Sequence, residues 1–173
     1  MGIREPLREM GCGLPAALEV MGERWSFLIL RAAFNGLYHF EEFSHELGIA
    51  RNILSSRLSN LVEHGVLART PCEDDRRKVE YRLTEKGLGL LPAMLALRQW
   101  GERYIENITP DLVLVDCRDG QPVQPISIRA KDGRELSWHD LAWQTPDKLG
   151  TPVDRHSHGY HMADPADEAE DCC

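Results

Sequence analysis

Arg51, Asn52, Ser55, Ser56 and Arg57 crowd into seven consecutive positions, and each carries a group suited to reading nucleic acid. A forked guanidinium matches guanine O6 and N7, a carboxamide matches the adenine edge, and a serine hydroxyl reaches either. A second group, Arg76, Arg77 and Lys78, follows in one run. Three adjacent cations suit phosphates better than bases, so they would strengthen binding to every sequence and make it salt-dependent. The plain alternative for both groups is a solvated polar face. For Arg57 a second alternative stands beside DNA contact, that of holding its helix against the rest of the domain.

The elements that would position these residues are legible around them. Phe40, Phe43 and Leu47 give a short helix one apolar face, and Gly48-Ile49 makes a turn. A second helix runs from Ala50 to His64, with Ile53, Leu54, Leu58, Leu61 and Val62 as its core stripe, and Gly65 ends it. Val66 to Thr70 reads as a strand, Pro71 to Arg77 as a loop, and Val79, Tyr81 and Leu83 alternate with Glu80 and Arg82 as in a half-buried strand. Helix, tight turn, helix and β-hairpin is the order of a winged helix-turn-helix, which lays its second helix in a DNA groove.

Upstream, Leu14, Ala17, Leu18 and Met21 recur at helical spacing, then Trp25, Leu28, Ile29 and Ala32 mark a second amphipathic helix. Downstream, Thr84 caps a long helical stretch over 85–108, in which Pro92 should kink the helix or begin a new segment. Leu88, Leu91 and Leu95 lie on one side, Leu90, Met94, Leu97 and Tyr104 on another, with Trp100 between. Such a helix must be covered on two sides, and a second subunit is the simplest cover. The C-terminal part of the chain is the alternative.

Residues 109–144 change character. Leu112 to Val115 and Ile126 to Ile128 read as strands, and Asp132-Gly133 between Ile128-Arg129 and Glu135-Leu136 predicts a hairpin. From about Thr145 large apolar residues become scarce. Such a segment cannot offset its ordering entropy, which predicts a disordered acidic tail over 145–173.

Two further groups could carry chemistry. Cys12 precedes a helix start, where the positive end of the dipole favours thiolate. It is a candidate redox sensor, or an ordinary small residue at a subunit contact. His156, His158 and His161, with Cys172 and Cys173, offer metal ligands. Their spacing fits no structural zinc site, and adventitious binding is the default for such a tail. Trp25, Tyr38 and Trp100 could line an effector pocket, although aromatics at helical spacing usually belong to a core. No nucleophile elbow, phosphate loop or HExxH motif is present, so no enzyme and no cofactor is expected.

The chain has 173 residues and a net charge of −8, which would repel DNA if it were spread evenly. Residues 109–173 hold 6 Lys/Arg against 13 Asp/Glu, whereas residues 49–86 hold 8 against 6. Local charge governs phosphate contact, since the screening length is about 8 Å at physiological salt. No apolar run approaches the ~20 residues of a membrane span, and the start of the chain has no secretory pattern. Five cysteines without such a signal argue against a disulfide framework. A cytoplasmic protein is expected.

The pattern resembles the HxlR-type winged helix-turn-helix regulators of bacteria, relatives of the MarR group. The carrying residues are Cys12, Ala17-Leu18, Gly22-Glu23-Arg24-Trp25, Leu28 to Arg31, Phe40 to Phe43, Leu54 to Leu58, Gly65-Val66-Leu67 and Val79 to Gly87. The resemblance covers roughly residues 10–106. It implies a dimeric DNA-binding regulator of transcription whose first helix and long C-terminal helix pair across the dimer. The recognition helix would enter the major groove, and the wing would approach the minor groove or backbone. In some relatives a cysteine placed like Cys12 senses oxidants or electrophiles.

Two features depart from that pattern. Ala50 stands where a capping side chain is usual, whose loss typically costs ~1 kcal/mol. Glu73, Asp74 and Asp75 put three acids into the wing, leaving Arg76, Arg77 and Lys78 to meet phosphate.

The resulting expectation is a mainly α fold with a β-hairpin wing over residues 1–108, a small β-appendage over 109–144, and the acidic tail. Its partners would be double-stranded operator DNA, a second copy of the chain, and an unidentified small-molecule or oxidant effector. Repression at a palindromic operator is the favoured function. A winged-helix protein-interaction module with weak DNA binding, or a metal- or redox-responsive regulator, are the alternatives.

Overall fold

The computed structural model describes residues 12–71, 78–108, 110, 112–143 and 146–152. The chain divides into two compact units, the first ending at Ile126 and the second beginning at Ser127. Residues 112–126 therefore count with the helical unit rather than with the hairpin that follows.

The first unit opens with helix α1 (Gly13–Met21), followed by α2 (Arg24–Phe34), α3 (Phe40–Leu47) and α4 (Arg51–Glu63). Strands β1 (Leu67–Pro71) and β2 (Val79–Leu83) pair antiparallel, with Leu67 opposite Leu83 and Pro71 opposite Val79. Helices α5 (Glu85–Leu88) and α6 (Leu91–Tyr104) complete the order. This is the mainly helical, two-stranded winged helix-turn-helix that the residue pattern predicts.

The core lies where α2, α3 and α4 meet the base of the hairpin. Ile29, Leu30, Phe43, Leu54, Leu58 and Leu61 are fully buried, and Val66 and Leu67 nearly so. The buried residues of α2 are Ser26, Ile29, Leu30, Ala32 and Ala33, so the expected stripe holds at Ile29 and Ala32 while the buried face widens to Ser26, Leu30 and Ala33. Trp25 and Leu28 are half-buried. A helix apolar on nearly every side offers no single stripe to read, so its neighbours choose the face. On α4, Ile53 proves to be an exposed residue rather than part of the core stripe.

The turns around α3 and α4 are locally specified. The Glu42 carboxylate accepts the backbone N–H groups of Tyr38 and His39 at 2.9 and 2.8 Å, closing the start of α3. Gly48, at φ 57°, ends that helix in the left-handed region that glycine enters without a Cβ clash. His39 bridges to Glu80, and the Tyr81 N–H donates to the Tyr38 carbonyl at 2.8 Å, so the chain before α3 lies against β2.

At the far end of α4, Lys86 Nζ donates to the His64 carbonyl and Thr84 Oγ1 to that of Gly65. The same threonine hydroxyl accepts the Gly87 N–H. A Cβ on Gly87 would stand 2.3 Å from the Val66 carbonyl oxygen, so this junction needs a glycine.

Pro92 lies in the first turn of α6 and begins a new segment after α5. Helix α6 ends at Tyr104, short of the Ile108 that the apolar pattern suggests. Leu112 to Val115 does not form the expected strand. One bridge joins Val115 to Pro122, and proline has no N–H with which to extend a ladder. The turn is held by the N–H groups of Val123 and Gly120, donating to Leu114 and Asp116 carbonyls.

In the second unit the expected hairpin is present. Strands β3 (Ile128–Arg129) and β4 (Glu135–Leu136) pair antiparallel around Gly133 at φ 88°. The expected acidic tail from Val153 onward, and Gln144-Thr145 before it, lie outside the described residues.

Candidate nucleic-acid interface

Helix α4 presents two contrasting surfaces. Leu54, Leu58 and Leu61 face the core with no measurable exposure. Asn52, Ser55, Ser56 and Ser59, also at helical spacing, are exposed on the other side. The helix begins without a side-chain cap at Ala50, as its sequence suggests. Its first N–H groups are therefore not taken up by a capping oxygen from Ala50, and its positive end is suited to an anion such as phosphate.

The structure separates the two arginines of this helix. Arg51 is exposed at the first turn. Its Nη1 and Nη2 donate to Oε2 and Oε1 of Glu41 on α3, at 2.6 and 2.8 Å. Its guanidinium also stacks over Phe40, 4.7 Å from the ring centroid. The pairing holds the Glu41 carboxyl below its ordinary range and raises Arg51. Arg57 is turned inward, with its side chain 26% exposed and Nη2 3.3 Å from Glu23, the residue that precedes α2. Its Nε is buried with no partner. This geometry joins α4 to the start of α2.

Lys78 is exposed immediately before β2. Arg76 and Arg77, with the acidic Glu73, Asp74 and Asp75, lie outside the described residues. Arg82, which the residue pattern places on an exposed face without a role, lies 4.4 Å over the Tyr38 ring, and its Nε donates to Glu80 at 2.7 Å. Neither Glu41 nor these ring contacts could be read from spacing, because the partners are too far apart in sequence to share a helix face.

A second surface is apolar. Leu14 and Leu18 on α1 are 61% and 52% exposed, and Leu97, Trp100 and Tyr104 on α6 are 54%, 55% and 61% exposed. Cys12, also exposed, immediately precedes α1. A shallow groove beside α6 is lined by Leu95, Arg98, Gln99, Glu102, Leu112 and Val123 among others, and neither Trp25, Tyr38 nor Trp100 contributes to it. Among the described residues no group of three or more His, Cys, Asp or Glu is placed to hold a metal ion. His156, His158, His161, Cys172 and Cys173 lie outside them. No helix among the described residues is long and apolar enough to cross a membrane.

A helix anchored by one apolar stripe, presenting a polar face, preceded by a tight turn and followed by a β-hairpin, defines a winged helix-turn-helix, the fold of a class of DNA-binding transcriptional regulators. The chain belongs to the HxlR-like helix-turn-helix family, whose model matches residues 20–109. The HTH-type transcriptional regulator Rv3095 of Mycobacterium tuberculosis is 43% identical over 122 residues, covering 70% of this chain and 77% of that protein. YdeP of Bacillus subtilis, another HTH-type regulator, is 33% identical over 57% of this chain and 77% of its own.

Among solved structures, PA1607, a candidate transcription factor, superposes with a TM-score of 0.72 at 45% identity, covering 80% of this chain and 97% of that one. Residues 1–109 cannot supply that coverage alone, so the likeness extends past the family's own boundary. The oxidized redox regulator HypR is 29% identical over 58% of this chain and all of its own, with a TM-score of 0.50.

Proposed function

We propose that this regulator is a homodimer that binds double-stranded operator DNA and represses transcription. Helix α4 would lie in the major groove and the wing on the phosphate backbone. The observation that carries the reading is the exposed polar face Asn52, Ser55, Ser56 and Ser59, set on a helix whose opposite face is fully buried. Asn52 and Ser55 would reach base edges, with Ser56 beside them. Lys78, with Arg76 and Arg77, would neutralise phosphates.

The dimer is supported by the exposed apolar residues of α1 and α6, which water solvates poorly and a second copy would cover. Its two-fold symmetry calls for a palindromic operator with half-sites about 34–36 Å apart. On this reading residues 1–108 bind DNA and dimerise, the appendage expected over 109–144 narrows to the part from Ser127 onward, residues 145–173 are the acidic tail, and the protein works in the cytoplasm.

Fluorescence anisotropy of the full-length protein on DNA from upstream of its own coding region, challenged with an unrelated duplex of equal length, tests it. Binding that the competitor does not displace is the expected result. Equal, weak binding to both would instead support a protein-interaction module. A redox-responsive form of the same reading is favoured by one observation, the exposed Cys12 beside the apolar surface of α1. Oxidant should then change the DNA affinity of the parent and leave a Cys12→Ser variant unaffected.

A further inference from the structure

The Arg51–Glu41 pair occupies the surface assigned above to DNA, so the inference drawn from it rests on that reading. A guanidinium offers two bidentate edges. The end-on edge uses one N–H from each of Nη1 and Nη2, and the side edge uses Nε and the remaining N–H of Nη2. Glu41 takes the end-on edge with both carboxylate oxygens. Phe40 covers one face of the group. The side edge is left for an outside acceptor pair.

Both partners are largely exposed, Arg51 at 65% and Glu41 at 72%, so the pair is not a product of burial. It is built by geometry. Glu41 lies in the first turn of α3 and Arg51 opens α4, and the Gly48-Ile49-Ala50 turn brings the two helix starts together.

We propose that Glu41 is a specificity-determining positioning residue, which holds Arg51 over Phe40 so that it reads a base edge instead of seeking phosphate. A free arginine at the mouth of a recognition helix swings toward any phosphate and adds equally to every sequence. Held by a carboxylate at 2.6 Å, the same arginine contributes almost no net charge beyond the screening distance of about 8 Å. Its remaining edge still fits the O6 and N7 acceptors of guanine, at a fixed position. Glu41 thereby lowers affinity for arbitrary DNA while preserving it for an operator with guanine in the right place.

The test uses the full-length protein, its own upstream DNA and an unrelated duplex, each titrated over a salt series. Relative to the parent, Glu41→Gln is expected to bind the unrelated duplex several-fold more tightly at low salt. The slope of log K against log salt on that duplex should steepen by about 0.9, the signature of one added phosphate contact. Affinity for the operator should gain less, so the ratio between the two duplexes falls.

The same substitution in an Arg51→Ala background separates positioning from simple removal of a negative charge. Loss of the effect there supports the proposal. An equal gain in that background, or an equal gain on both duplexes, overturns it, as does an unchanged ratio. A parent that does not discriminate between the duplexes would overturn the DNA-reading function itself, and this inference with it.

Discussion

Helices α4 and α6 are of nearly equal length, 13 and 14 residues, and the fold treats them in opposite ways. Helix α4 buries three leucines completely and exposes mainly polar side chains. Helix α6 buries no residue fully, and exposes Leu97, Trp100 and Tyr104. The first helix is finished within one chain, because its outward groups are content in water. The second is left with apolar area that gains about 25 cal/mol for each Å² removed from water. The proposed function assigns the polar face of α4 to nucleic acid and the apolar face of α6 to a second copy, a division that such a regulator needs.

The strongest way to break the contrast is at the anchor of α4. Leu58→Ala should cost about 2–5 kcal/mol, because a fully buried leucine leaves a cavity in a core closed on every side. Chemical denaturation reads this directly, and a loss below about 1 kcal/mol would mean that α4 is not seated as described. Trp100→Glu tests the other helix. It should leave the unfolding free energy of the chain nearly unchanged while converting dimer to monomer, with a loss of at least ~2 kcal/mol in self-association if Trp100 is an anchor. Sedimentation equilibrium measures it, and a parent that is already monomeric would remove the role assigned to α6.

Smaller changes sharpen the picture of the exposed face. Asn52→Ala should lower operator affinity by about 1–3 kcal/mol with little effect on unrelated DNA, as for a base contact. Equal loss on both duplexes would reassign it to the backbone. Ala50→Ser supplies the missing cap oxygen, at a residue whose backbone is already extended with φ −61° and ψ 135°. Thermal unfolding should then show a gain of ~1 kcal/mol.

The smallest expected effect is electrostatic. Two backbone N–H groups, those of His39 and Tyr38, hold the Glu42 carboxyl below its ordinary 4.5. A depressed carboxyl stabilises the fold above its ordinary pKa, and that contribution fades as pH falls through 4.5 toward the lower folded value. The stability gap between the parent and Glu42→Gln should thus be full at neutral pH and close in acid. A gap that persists unchanged in acid would remove charge as the cause.

Much of this molecule could be read from local pattern. The order of helix, turn, helix and hairpin follows from apolar periods of 3.6 and 2, and from glycines at 48 and 65, both of which have positive φ. The start of α6 follows from Pro92, and the second hairpin from Asp132-Gly133. These are properties of neighbouring residues, which the backbone period and turn chemistry settle without reference to the rest of the chain.

What tertiary structure decided involves residues that meet only in space. The buried face of α2 took in Ser26, Leu30 and Ala33 beside the expected Ile29 and Ala32, because a helix apolar on most sides takes its orientation from what packs on it. Leu112 to Val115 had the composition of a strand, yet the residue across from it was a proline. Arg51 and Arg57 look alike in sequence, but one opens onto the surface and is held by Glu41, and the other reaches inward to Glu23. Which partner a long charged side chain finds depends on where other elements bring their carboxylates, and no spacing along the chain contains that information.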